Sequence, residues 1–108
     1  MREAADLVRY ALDLGITLVD TAKVYGTEPA VGAGLEGRRD GVIVSTKVWP
    51  LTADNRVDAA HITDQIEDSL RVLGLDVIDI VHLHGVTPGD YSRVIEGCLP
   101  AMERARAE

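Results

Sequence analysis

The chain has 108 residues, of which 46% are apolar and 27% charged, as expected for one globular domain or part of one. Its net charge of −7 argues against binding to nucleic-acid phosphates. No apolar run reaches the roughly 20 residues of a membrane span, and no secretion leader is visible, so we expect no membrane partner. The single cysteine, Cys98, favours a reducing cytoplasm and is expected to be a small buried side chain.

The first half of the chain alternates between helical and strand patterns. Apolar residues at helical spacing predict a helix over residues 2–14, and a β-branched run predicts a buried strand over 16–20. A second helix is expected over 27–37, where the Thr27 hydroxyl suits a capping position. The apolar run 42–47 predicts the second strand.

The second half continues this alternation. Apolar residues at i, i+3 and i+4 predict a helix over 58–73, and residues 77–84 form a third apolar run typical of a strand. A last helix is expected over 91–106, kinked or split by Pro100. Apolar strands separated by helices predict a parallel sheet, either doubly wound or part of a (β/α)8 barrel. No GxGxxG follows a strand, which weakens the case for a doubly wound dinucleotide-binding domain.

Polar residues end all three predicted strands. Asp20, Lys47 and His84 each stand at the end of an apolar run, and Tyr25 lies in the loop after the first strand. Because the carboxyl ends of parallel strands share one side of a sheet, we expect these four residues to converge there. The alternative is that each is an ordinary polar strand terminus.

These four residue types suit the protonation of a carbonyl oxygen. A lysine cation beside a tyrosine stabilises the phenolate, which helps the phenol to act as an acid, and an aspartate beside the lysine fixes the cation in place. A histidine orients the carbonyl oxygen or shares the proton transfer. No side chain delivers hydride, so a reduction would also require a nicotinamide.

Four ordered motifs resemble the aldo-keto reductase family. They are DTAKVYG at residues 20–26, Thr27-Glu28 followed by Gly32 and Leu35, STKVW at 45–49, and SLRVLGLDVID at 69–79 followed by His84. The resemblance covers about residues 2–106. It implies a (β/α)8 barrel that reduces small aldehydes or ketones to alcohols with NADPH or NADH and without a metal.

The resemblance also implies residue roles. Asp20, Tyr25, Lys47 and His84 fall on the catalytic tetrad of the family. Tyr25 is the expected proton donor, and Asp20 is also expected to bind near the nicotinamide ribose. Trp49 resembles an aromatic residue of the substrate pocket, although a loop tryptophan packed on a helix is the alternative.

The sequence departs from the family pattern after the histidine. Many members carry an aromatic residue and a proline there, whereas this chain has Gly85 and Val86, which predicts a smaller pocket wall. His82 and His84 form a His-x-His pair that also occurs in metal sites of some barrel hydrolases. We favour His82 as a packed interior residue, with no metal bound. His61 is expected to be exposed on a polar helix.

The chain is short for such a barrel, which needs about 250 residues. We therefore expect residues 1–108 to form one incomplete barrel domain of three parallel strands and four helices, lacking the first strand and the last four. On this interpretation the chain is a segment of an NAD(P)H-dependent reductase and is inactive in isolation. The alternative is a non-catalytic truncated barrel that binds no cofactor.

Overall fold

Helices and strands alternate along the whole of residues 2–107, the part of the chain that a computed structural model describes. The elements in chain order are helix α1 (Arg2–Asp13), strand β1 (Leu18–Asp20), a 3-10 turn (Lys23–Tyr25), α2 (Glu28–Leu35), β2 (Ile43–Val48), α3 (Ala59–Leu73), β3 (Ile80–Leu83), a second 3-10 turn (Pro88–Asp90) and α4 (Tyr91–Ala107). The predicted order of four helices and three strands is confirmed, with β1 and β3 shorter than their apolar runs.

The three strands form one parallel sheet in the order β1-β2-β3. Asp20 is paired with Ser45 across the first strand pair, and Lys47 with His82 across the second. Consecutive parallel strands leave the carboxyl ends of all three at the same edge. The predicted parallel sheet is therefore confirmed, and its register decides which loops meet.

The two faces of the sheet differ in their cover. Residues of β2 that face the helices are buried, with Val44 in one apolar cluster and Val48 in a second. On the opposite face Leu18, Ile43 and Ile80 remain between 41% and 53% exposed. The helices thus bury one side of the sheet and leave an apolar inner face that the described residues do not cover.

The capping prediction for Thr27 was wrong, and the predicted split of α4 at Pro100 does not occur. The Thr27 hydroxyl does not cap α2 but lies 2.8 Å from the Thr21 hydroxyl, which closes the loop between β1 and α2. Helix α4 runs through Pro100 without a break. Pro100 and Glu96 both lie on the exposed side of α4, where water can hydrate the carbonyl that loses its helical donor.

Two of the histidine predictions were also wrong. His82 lies on the uncovered inner face and is exposed, because the described residues place no second layer over it. His61 is half-buried in α3, and its Nε2 atom is buried without a hydrogen-bond partner. Both errors concern solvent exposure, which depends on tertiary packing and cannot be predicted from a local sequence pattern.

The predicted burial of Cys98 is confirmed. Cys98 is fully buried in the cluster beneath α4, and its thiol donates a hydrogen bond to the Pro50 carbonyl at 3.3 Å. Burial raises the pKa of the Cys98 thiol.

Among the described residues, no helix is both long enough and apolar enough to cross a membrane.

Replacement of Gly32 by alanine should destabilise the fold. A methyl group there would lie 2.8–2.9 Å from backbone atoms of Val72 and Leu73, so α2 and α3 would have to move apart. Such overpacking costs about 1–3 kcal/mol. Gly89→Ala is the matched control, since nothing lies within 4 Å of its added methyl. Urea unfolding should show a lower midpoint for Gly32→Ala alone, and equal midpoints would contradict the close helix packing.

Candidate active site

The carboxyl ends of β1 and β2 are joined by an ion pair. Asp20 ends β1, and Lys47 lies one residue before the end of β2. The Lys47 Nζ donates to Asp20 Oδ2 at 2.8 Å and to the Thr21 carbonyl at 3.2 Å. The lysine therefore binds both the side chain and the backbone of the neighbouring strand end.

Tyr25 lies directly above this pair. The 3-10 turn that carries it follows β1 and ends at Gly26, whose φ of 68° lies in the left-handed region that glycine adopts readily. Lys47 Nζ is 5.4 Å from the centre of the Tyr25 ring, and the His84 ring meets it edge-on at 6.1 Å. The Tyr25 side chain remains 55% exposed, so the open edge of the sheet gives access to its hydroxyl.

His84 and Trp49 complete the cluster. The backbone N–H of His84 donates to the Val48 carbonyl at 2.9 Å, which continues the β2–β3 pairing. The His84 and Trp49 rings are stacked, with centres 5.1 Å apart and planes 17° from parallel. The structure thus brings together all five site residues that the sequence predicts.

Gln65 of α3 is a site residue that sequence reasoning missed. Its side-chain oxygen accepts a hydrogen bond from the Trp49 backbone N–H, and its side-chain nitrogen donates one to the Trp49 backbone carbonyl, both at 2.8 Å. This double contact fixes the backbone of the tryptophan against α3. A polar residue in the middle of an amphipathic helix gives no sequence signal for such a role.

The ion pair shifts the pKa of both its members. The hydrogen bond from Lys47 lowers the pKa of Asp20, and the bond to Asp20 raises the pKa of Lys47. Each charged form is favoured by the other, so the pair stays ionised throughout the neutral range. A fixed cation therefore stands beside the Tyr25 ring.

The other cations in the loops after the strands are already paired. In these loops Lys23 binds Glu28 and Asp68, and Arg56 binds Asp54. In the first turn of α4, Arg93 binds Asp90. The site therefore offers a carboxylate and a phenol but no uncommitted cation from these loops to hold phosphate groups. Within residues 2–107, no three His, Cys, Asp or Glu side chains are arranged to hold a metal ion.

This architecture has a recognisable class. Parallel strands covered by helices on one face, with polar side chains at their carboxyl ends, define part of a (β/α)8 barrel. The sequence model of the aldo/keto reductase family matches residues 1–108. The chain belongs to the aldo/keto reductase family, which confirms the resemblance found in the sequence.

Individual relatives agree with this assignment. Methylglyoxal reductase YeaE of Escherichia coli is 35% identical over 104 residues, which cover 94% of this chain and 34% of the relative. An aldo-keto reductase structure from Pseudomonas aeruginosa superposes with a TM-score of 0.77 at 35% identity, covering 98% of this chain and 43% of that one. An aldo-keto reductase of Bombyx mori in complex with NADP has a TM-score of 0.75 at 27% identity, covering 95% and 36%.

The chain matches only part of each relative, which agrees with a partial barrel. The chain spans about a third of the length of the curated relatives it matches. The predicted partial (β/α)8 barrel of three parallel strands and four helices is therefore confirmed.

Lys47→Met should raise the pKa of Asp20 towards its ordinary value of about 3.9, because the hydrogen bond that favours the carboxylate is lost. NMR titration of the carboxyl carbon measures this pKa directly. Arg71→Met is the matched control, because that cation pairs with Asp68 within α3 instead. An Asp20 pKa that is unchanged by Lys47→Met would contradict the pair.

The same shifts define the pH range in which the pair stabilises the fold. A lowered Asp20 pKa contributes stability above the ordinary carboxyl pKa, which is lost as the pH falls through the folded value. A raised Lys47 pKa contributes stability below the ordinary lysine pKa, which is lost as the pH rises through the folded value. Half of the Asp20 side chain is exposed, so the pair contributes at most about 1 kcal/mol.

Proposed function

We propose that this chain carries the proton-donating part of the active site of an NAD(P)H-dependent oxidoreductase that reduces aldehydes or ketones to alcohols. The observation that carries the proposal is the convergence of Asp20, Tyr25, Lys47 and His84, with Lys47 bonded to Asp20 and facing the Tyr25 ring. Family membership supports the reaction class, since the relatives are oxidoreductases. The name of the Escherichia coli relative supports a small carbonyl compound as substrate.

Each of the four side chains has its own role in the proton transfer. The Tyr25 hydroxyl donates its proton to the carbonyl oxygen of the substrate, and the Lys47 cation stabilises the phenolate that remains. Asp20 holds the lysine in place through the 2.8 Å bond. His84, edge-on to the Tyr25 ring, orients the carbonyl oxygen towards the phenol.

The residues of this site suit the nicotinamide and ribose end of a dinucleotide cofactor. When bound, the nicotinamide supplies the hydride for the carbonyl carbon. The Asp20 side chain is 51% exposed, so its carboxylate can accept a hydrogen bond from a ribose hydroxyl. The paired cations of the strand-end loops leave the phosphate groups to be bound by other parts of a complete barrel. The complex of the Bombyx mori relative with NADP favours NADPH over NADH.

Trp49 supplies the wall of the substrate pocket in this proposal. Its ring lies against His84 and is partly exposed, so a flat apolar surface adjoins the reacting groups. The next loop contributes Gly85, which has no side chain, and Val86, whose side chain is smaller than an aromatic ring. This combination favours substrates that stack on one aromatic ring over substrates that need a deep apolar pocket.

A non-catalytic role is the second candidate, and two observations favour it for the isolated chain. The chain spans about a third of its curated relatives, and its inner face leaves Leu18, Ile43 and Ile80 open. Such a chain would neither close a barrel nor hold a dinucleotide firmly. A cytoplasmic location remains a prediction that rests on the lone cysteine.

Tyr25→Phe should abolish most of the reduction in a completed barrel. We would build a chimaera in which this chain replaces the matching segment of the Escherichia coli methylglyoxal reductase, and follow NADPH consumption with methylglyoxal. Loss of a general acid lowers rates by about 100- to 10,000-fold. Cofactor binding should persist, because the substitution removes one hydroxyl group.

Tyr91→Phe in the same chimaera is the matched control. It removes an equally exposed hydroxyl at the start of α4, outside the cluster described above, and should leave the rate unchanged. Full turnover of methylglyoxal by the Tyr25→Phe chimaera would exclude Tyr25 as the proton donor.

The isolated 108-residue chain should bind NADPH weakly and should not reduce carbonyl compounds. The cations of its strand-end loops and of the first turn of α4 are in ion pairs, and its net charge of −7 repels the phosphates. Titration of NADPH fluorescence with the purified chain measures the binding. Tight, saturable binding by a monomer would overturn this expectation and favour an enzyme that is complete in this chain.

A further inference from the structure

An ion-pair network holds the loop that carries Tyr25. Lys23, two residues before the tyrosine, extends towards α3 and places its Nζ 2.6 Å from Asp68 Oδ2. The same Nζ lies 3.5 Å from Glu28 Oε1 in the first turn of α2. One ammonium group therefore links the loop to both flanking helices.

Glu28 extends this network to the strand that carries Lys47. Its side chain is 5% exposed, and its second oxygen, Oε2, accepts a hydrogen bond from the Thr46 hydroxyl at 2.7 Å. Thr46 immediately precedes Lys47 and lies on the opposite, helix-facing side of β2. The buried Glu28 carboxylate thus connects the loop that carries Tyr25 to the strand that carries Lys47, on the helix-facing side of the sheet.

The position of the Tyr25 ring depends in part on the loop that carries it. The nearest site groups are Lys47 Nζ at 5.4 Å and the His84 ring at 6.1 Å from the Tyr25 ring centre, and the side chain is half exposed. Lys47 interacts with Tyr25, but a half-exposed ring is not enclosed, so its position over Lys47 also depends on the backbone of the loop. The loop backbone is in turn held by the network below it.

We propose that Glu28 and Lys23 are positioning residues that fix Tyr25 over Lys47 by tying the loop to β2 and α3. The inference rests on the proposed function, in which Tyr25 is the proton donor. Buried ion pairs contribute little stability compared with apolar packing, because desolvation offsets their attraction. Their benefit here is geometric, since Glu28 of α2, Asp68 of α3 and Thr46 of β2 together define one loop conformation.

The chain offers a matched pair of variants to test this role. Asp68 binds Lys23 through Oδ2 and Arg71, within α3, through Oδ1. Lys23→Met and Arg71→Met each remove one cation from the same carboxylate, but the first alone releases the loop. Lys23→Arg keeps the charge and should restore the contact.

The readout is the NMR cross-relaxation between the Tyr25 and His84 rings, measured on the 108-residue chain. We expect the cross-peak to weaken at least twofold in Lys23→Met and in Glu28→Gln, and to persist in Arg71→Met and Lys23→Arg. Resonances of the core residues Val44 and Leu35 should stay in place in all four variants. An unchanged cross-peak in Lys23→Met, or a global loss of the core resonances, would overturn the positioning role.

A kinetic measurement separates this inference from the proposed function. In the active chimaera, Lys23→Met should lower kcat by about 100-fold with little change in KM, as expected for a misplaced reacting group. Turnover that survives Tyr25→Phe would refute the proposed function and leave the cross-peak result intact. A kcat unchanged by Lys23→Met, in a chimaera that does depend on Tyr25, would refute the positioning role alone.

Discussion

Parallel pairing of three consecutive strands is the constraint on which the candidate site depends. It places Asp20, Lys47 and His84 at one edge of the sheet, although they are separated by as many as 64 positions in the sequence. The alternation of side chains along each strand then selects the face. Because Lys47 and His82 are paired across β2 and β3, His84 follows at the height of Trp49 and stacks on it. The chemistry of the site is therefore a consequence of strand register.

The helices stabilise this register from one side. Their apolar residues bury the outer face of the sheet in two clusters, one around Val44 and one around Val48. Close approach of α2 to α3 at Gly32 keeps the first of these clusters compact. The same packing brings Asp68 within reach of the Lys23 side chain, so the core and the tyrosine loop are positioned by one helix pair.

The sequence predicted the strand ends well because each polar residue interrupts an apolar run, a signal that is local. Asp20, Lys47 and His84 are of this kind, and the motif around Tyr25 added the fourth member. The partners of Lys23 and Trp49 were not predictable, since Asp68 lies 45 positions from one and Gln65 lies 16 positions from the other. The contact of the Thr27 hydroxyl with Thr21 was missed for a different reason, because the conformation of the loop between β1 and α2 sets it.

The stacking of Trp49 on His84 has a consequence for how the molecule absorbs and emits light. Trp49 is the single tryptophan of the chain, so the whole of its indole emission originates at the carboxyl edge of the sheet. The emission of a ring that is stacked on an imidazole and partly open to solvent is sensitive to changes in both the imidazole and the solvent. The protein therefore carries a built-in optical probe at the one place where its reacting groups converge, and no label has to be introduced to observe them.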